Sequence, residues 1–345
     1  MDRYIVNKLH GSAAATTVNQ RVSILKKLAK KFPKAKDFSF LNDTQKVTDW
    51  LNTYELVTTR ASNLFIILAA IKSDPNVVSE QAKDYYDKLR DKLVILKMEY
   101  RQSRTKSPKQ IIAFEVPLAQ RQAQIHTIIK EFSDQHEINI VGKLTKAMYK
   151  QIANKPEFIK RLQEIAICAC YLLQPALRND WAALRLTSKI KGLPSDQNYL
   201  YMRGGRMVLV LNLYKNAASM GHQEIEVQHG QLKGLLAFWI ALIKMHASEL
   251  KLPPIEYPFY YFASKTKFYR NVNEDSMRRS IPDIAQKVLG QALTINDFRH
   301  LWEISIQQDP AYPHMTLAQR NELHRQLLHT QIGRASCRER VLRLV

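Results

Sequence analysis

The chain has only three cysteines and ten glycines among its 345 residues, and it lacks any long apolar run. So few thiols exclude a disulfide-stapled secreted scaffold, and Cys168 and Cys170 lie too close together on an apolar stretch, without histidine partners, to suggest a metal site. Both read as reduced core residues. The longest apolar runs, 64–71 and 235–243, fall well short of the roughly 20 residues that span a bilayer. The N-terminus has no apolar signal core, so a soluble intracellular protein without a membrane partner is expected. No carboxylate cluster of the kind that binds two metals stands out, and neither a cofactor nor a small-molecule ligand is expected. Acidic residues are also scarce: 31 Asp and Glu stand against 52 Lys and Arg, a net charge of +21 scattered along helix-like segments. Basic faces attract phosphate backbones and gain affinity from counterion release, so a polyanionic partner is expected.

What is present is enough apolar residue, 46%, to bury real cores in two domains. Glycine is nearly absent between Gly11 and Gly142, which suits helices joined by short polar turns. From Thr17 to about Tyr100 apolar residues recur at helical spacing, as in Val18, Val22, Leu25 and Leu28, then Val47, Trp50 and Leu51, then Leu64, Ile67, Leu68 and Ile71. This predicts a small helical bundle. The stretch 101–109, basic and rich in turn formers, reads as a hinge or exposed loop. A further helix is predicted over 117–132, with the domain boundary in the polar stretch 133–137. The first domain then covers 14–132 and the second 138–331.

The second segment opens with a long apolar helix over 158–173, broken by Pro175. Residues 199–203 and 206–215 flank Gly204 and Gly205, a two-residue turn suited to positive φ, which predicts a β-hairpin. Residues 223–227 alternate polar and apolar and would add a third antiparallel strand, giving a sheet near 199–227. Helices are expected over 231–250, 274–289, 294–307 and 316–329, with Thr294 and Thr316 as N-caps. The fold class is therefore mainly α with a small antiparallel β-sheet.

Basic residues at four places punctuate this plan. Arg178 follows the helix broken by Pro175, where its guanidinium emerges from a bend, and a helix-end cation or a salt bridge to Asp180 is the structural alternative. Lys215 ends the second predicted strand, where it can project toward a ligand or merely blunt a sheet edge. Arg299 and His300 sit early in a helix whose apolar positions are Phe298, Leu301 and Ile304, and they could simply form its polar face. His329 closes the last helix, a position that also suits a cation complementing the helix dipole.

Arginine, then lysine in a hairpin, then Arg-His early in a helix, then Leu-His-Thr at a helix end resembles the catalytic domain of tyrosine recombinases, the phage-type integrases. Leu-Arg-Asn-Asp followed by Leu184, and Tyr-Lys-Asn at the strand end, look closest to viral and large DNA-transposon members. The resemblance extends to residues 17–71, which look like the helical, SAM-like core-binding domain that clamps DNA, and it covers about residues 14–331. It implies an enzyme of DNA recombination and integration that acts on double-stranded DNA, self-associates as a tetramer on it, and works through a 3′-phosphotyrosine intermediate without a cofactor. Arg178 and Arg299 would then answer the charge of the phosphorane-like transition state, Lys215 would protonate the leaving 5′ oxygen, and His300 or His329 would hydrogen-bond the phosphate. Asn296 departs from the pattern, standing where the family usually has His or Lys. It can hydrogen-bond a phosphate oxygen but cannot accept a proton at neutral pH. Trp181 stands where many members carry an acid, leaving Asp180 to orient the arginine.

A nucleophilic tyrosine would follow His329 by roughly ten residues in that family, yet the last tyrosine here is Tyr312. Residues 332–341 look like the translation of a sequencing adapter, so 332–345 is expected to be a non-native tail and the native sequence to run only to about Gln331. Cys337 belongs to that stretch and is discounted as a substitute nucleophile. Removing 332–345 takes away four arginines and one glutamate and leaves the net charge at +18. The expected behaviour is DNA binding without covalent strand cleavage, by a protein that is a monomer off DNA. The competing readings are a non-catalytic DNA-binding protein of the same fold and a basic RNA-binding or virion structural protein.

Overall fold

The computed structural model describes residues 1–9, 15–103, 114–262 and 269–328. The chain divides into two compact units between Lys106 and Ser107.

Every regular element among the first unit's described residues is helical, as the apolar spacing predicts. Its helices are α1 (Asp2–Leu9), α2 (Ala15–Ala29), α3 (Thr44–Asn52), α4 (Val57–Ser73) and α5 (Glu80–Ser103). Their inward faces meet in one core that includes Ile5, Leu25, Leu28, Phe38, Trp50, Leu64, Ile67 and Tyr86. Asp43 starts α3 by accepting the Lys46 amide at 3.0 Å, satisfying one of the donors that a helix start leaves unpaired. Most of the stretch 101–109, expected to be a hinge or loop, lies outside the described residues, and its first three residues continue α5.

The second unit is built around α8 (Pro156–Leu172), which is buried at nearly every position from Phe158 onward. Around it pack α6 (Leu118–His136), α10 (Gly230–Glu249), α11 (Glu274–Leu289) and α12 (Ile295–Gln308). The helix expected to end the first domain is α6, and its buried Leu118, Ile125, Ile129 and Phe132 belong to this second core instead. Amphipathic spacing reveals that a helix has an apolar face but not which core that face joins. The remaining helices are the short α7 (Lys146–Ile152) and α9 (Ala217–Met220), and α13 (Leu317–Gln326). Thr294 and Thr316 cap α12 and α13, each in a reciprocal capping box, with Asp297 and Gln319 respectively.

The sheet is four-stranded, in the order β1 (Leu184–Thr187), β2 (Asn198–Arg203), β3 (Arg206–Leu211), β4 (Gln223–Glu226). The expected hairpin is present: β2 and β3 pair antiparallel with Arg203 opposite Arg206, and Gly204 and Gly205 take φ of 59° and 78° between them. The sheet is mixed, however, because β1 adds to the edge of β2 in parallel, with Leu184 aligned to Asn198. One face, carrying Leu200, Leu209 and Leu211, packs into the main core. The other holds Tyr199, Val208 and Val210 in a small cluster of their own. A two-stranded ladder, β5 (Tyr260–Phe262) with β6 (Tyr269–Asn271), was not expected. The architecture is thus mainly helical with a small mixed sheet.

Candidate functional site

Arg178 lies on the chain that leaves α8, and local polar bonds shape that bend. Tyr171 in the last turn of α8 donates its hydroxyl to the Arg178 carbonyl at 2.9 Å. The Arg178 amide in turn donates to Asp180 Oδ2 at 3.1 Å, a side-chain bond back to the amide two residues earlier. The Arg178 side chain is half-buried, while the Asp180 side chain is buried. Burial pushes the Asp180 carboxyl above its ordinary value, opposed by the Arg178 amide and by the charges of Arg299 and Arg178.

Arg299 is not part of a polar helix face, the structural alternative for it. It is 4% exposed, and a guanidinium that deep must be satisfied by hydrogen bonds. It donates from Nη1 to the Ala176 carbonyl and from Nη2 to the Leu327 carbonyl, both at 2.7 Å. One buried cation thereby joins the Arg178 bend to the end of α13. The fork assigned to a phosphate is thus engaged with the protein's own backbone through both terminal nitrogens, which fixes the plane of the guanidinium.

Lys215 sits in a turn four residues beyond the end of β3 rather than at the strand end, and it is exposed. The loop that carries it is tied down along its length. Buried Asn198 holds the exit from β3, accepting the Asn212 and Leu213 amides at 2.8 and 2.7 Å and donating to the Leu213 carbonyl at 2.6 Å. His222 Nδ1 meets Asn212 Oδ1 at 2.7 Å, and the Tyr214 hydroxyl donates to the Gly221 carbonyl at 2.7 Å, closing the neck. Asn216, next to Lys215, donates to the Leu328 carbonyl at 2.7 Å.

The Arg178 bend, through Arg299, and the Lys215 loop, through Asn216, are therefore both tied to residues 327–328 at the end of α13. Leu328 has a φ of 54°, so the chain turns sharply there. His329 follows immediately but lies outside the described residues, as do Cys337 and the adapter-like stretch. Asn296 is exposed on the first turn of α12. His300 is not brought into the group: its Nδ1 lies 3.4 Å from buried Glu303 Oε2 and its ring meets Phe114 edge-on. Successive helical residues diverge by about 100°, which separates His300 from the bonds Arg299 makes. Asn198 was missed because a buried asparagine in a strand carries no local signal, and Asn216 was noticed only as part of Tyr-Lys-Asn.

Other features lie elsewhere. A cleft of about 820 Å³ is lined by His126, Lys130, Glu137, Gln231 and neighbours, but by none of the residues above. Burial pushes the thiols of Cys168 and Cys170 well up, so neither is poised as a thiolate. Among the described residues no group of three His, Cys, Asp or Glu side chains is placed to hold a metal ion. No helix among them is long and apolar enough to cross a membrane. In the first unit, Lys27, Lys30, Lys31, Lys34 and Lys36 are exposed within ten residues at and beyond the end of α2. No protein-family model matches the chain, and no curated protein matches it.

Proposed function

We propose that the chain binds double-stranded DNA and belongs functionally with DNA strand-transfer proteins of the tyrosine-recombinase type. The observation that supports this reading is that the Arg178 bend, through Arg299, and the Lys215 loop, through Asn216, are both tied to the end of α13. These segments are remote in sequence, and the bonds that tie them to one helix end bring the loops carrying a half-buried arginine and an exposed lysine to the same part of the second unit. The net charge of +21 and the exposed lysines near α2 supply the long-range attraction that a phosphate backbone requires.

In this reading Arg178 contacts the scissile phosphate, Arg299 fixes the Arg178 bend and adds its positive charge beside the same oxygens, and Lys215 delivers a proton to the leaving 5′ oxygen. His329, next after the Leu328 carbonyl, would complete the phosphate contacts. The sequence holds no tyrosine after Tyr312, so this chain binds DNA without forming a covalent adduct. A nicked duplex that traps covalent intermediates tests this, and a protein–DNA adduct would contradict it. Arg178→Ala with Lys215→Ala is the companion test. Unchanged duplex affinity in that double variant would remove the strand-transfer reading.

Exposed Asn296, which cannot take up a proton, favours a second reading as a non-catalytic DNA-binding protein of the same architecture. Restoring a tyrosine about nine residues past His329 separates the two: cleavage supports the enzyme, and binding alone supports the second reading.

A further inference from the structure

The last two described carbonyls, Leu327 and Leu328, are each gripped by a side chain from a different part of the second unit. Arg299 takes the first and Asn216 the second, each at 2.7 Å. A second tie runs parallel to these. Arg325 in α13 donates from Nη1 to Gln223 Oε1 at 2.7 Å, and Gln223 donates to the Met220 carbonyl at 2.7 Å, so the far end of the Lys215 loop is also fastened to α13. Arg325 is itself aimed by a two-pronged pair with Glu322, from Nε and Nη2 at 2.8 Å each. A planar fork held this way is preorganised for its third partner.

We infer that Asn216 is a positioning residue, with Arg325 as its support: together they lock the Lys215 loop to the end of α13, so that loop and helix end act as one element. The loop is internally closed by the Asn212–His222 and Tyr214–Gly221 bonds, so it shifts as a body and not residue by residue. Its attachment to α13 then decides where the Lys215 amine stands relative to Arg178 and Arg299. The functional part of this inference rests on the DNA reading above, whereas the mechanical coupling does not. A lysine on a free loop would meet a phosphate only part of the time. A lysine on a pinned loop meets it with the backbone already ordered, so that only the side chain's freedom is lost on contact.

Two measurements on the full chain decide the matter. The first is amide hydrogen exchange of segments 212–222 and 317–328 in the parent, Asn216→Ala and Arg325→Ala. Each variant should raise exchange in both segments by about fivefold, the worth of one ordinary intramolecular hydrogen bond. A rise confined to the segment carrying the substitution overturns the coupling. The second is a double-mutant cycle on duplex affinity with Lys215→Ala. If Asn216 acts through Lys215, Asn216→Ala weakens binding in the parent by about threefold and has no effect once Lys215 is gone. Additive losses overturn the positioning role, and Asn216→Gln, which keeps a donor, should recover part of the parent's affinity. Failure of the parent to bind any duplex would instead remove the DNA reading, leaving hydrogen exchange alone to decide the coupling.

Discussion

Arg299 and Ala176 are 123 residues apart in sequence and joined by a 2.7 Å hydrogen bond from guanidinium to carbonyl. With the second bond, to Leu327, this makes Arg299 the buried joint of the second unit's C-terminal half. Arg299→Ala leaves two carbonyls without their donor and opens a cavity. A destabilisation of about 3 kcal/mol or more is expected, because lost bonds to a charged group and uncompensated burial add. Arg299→Lys keeps the charge but cannot span both carbonyls, and it should retain about half of the loss. Denaturant midpoints of the three proteins check this. Equal midpoints for Arg299→Ala and the parent would mean that the buried joint carries no stability.

Asp180 makes the site pH-dependent with a definite sign. Its folded pKa is raised by burial, so the folded state holds the carboxyl proton more tightly than the unfolded chain does. The stability gained from protonation is fully present below the unfolded value of roughly 4 and is lost as pH rises through the higher folded value. Asp180→Asn removes the titration while keeping an oxygen that can accept the Arg178 amide. The variant should gain on the parent as pH climbs from about 4 toward 7, measured as the difference in unfolding midpoints. A difference that is flat, or that turns against the variant with rising pH, refutes the assignment.

What the sequence made legible was whatever local chemistry determines. Gly204-Gly205 specified the hairpin because positive φ costs glycine little, and Thr294 and Thr316 marked two helix starts because their hydroxyls replace missing backbone partners. The misses are long-range. Strand β1 is four residues of parallel edge, whose pairing depends on where residues 198–201 arrive in space. Helix α6 shows an apolar face but not its destination, and the burial of Arg299 could not be read because its carbonyl partners come from remote segments. Arg178 and Lys215 could be singled out by type and order, whereas the bonds that bring their segments together could not.

Gly234 in α10 marks a close approach that helix propensity alone would not suggest. A Cβ built there would stand 2.3 Å from the Val141 carbonyl oxygen, and backbone cannot swing aside as a side-chain tip can. Gly234→Ala gains about 1 kcal/mol in helix propensity but must displace the 139–142 turn, an overpacking cost of about 1–3 kcal/mol. The cost should win, lowering the thermal midpoint by several degrees. A higher midpoint would show that helix and turn are not in contact.

The lysines near α2 separate attraction from chemistry. Lys27, Lys30 and Lys31 are exposed, and in the DNA reading they contact phosphates without reading bases. Replacing all three by alanine should weaken binding to unrelated duplexes by similar factors, because a phosphate contact carries no sequence information. It should also reduce the slope of log affinity against log salt by roughly 3, close to one unit per lost contact. Arg178→Ala, by contrast, removes a contact at one phosphate and should change that slope by about one unit at most. Affinities measured across a salt series distinguish the two. A triple-lysine variant with an unchanged slope would place the DNA elsewhere on the protein, and one that lost affinity for a single sequence only would mean that these lysines read bases.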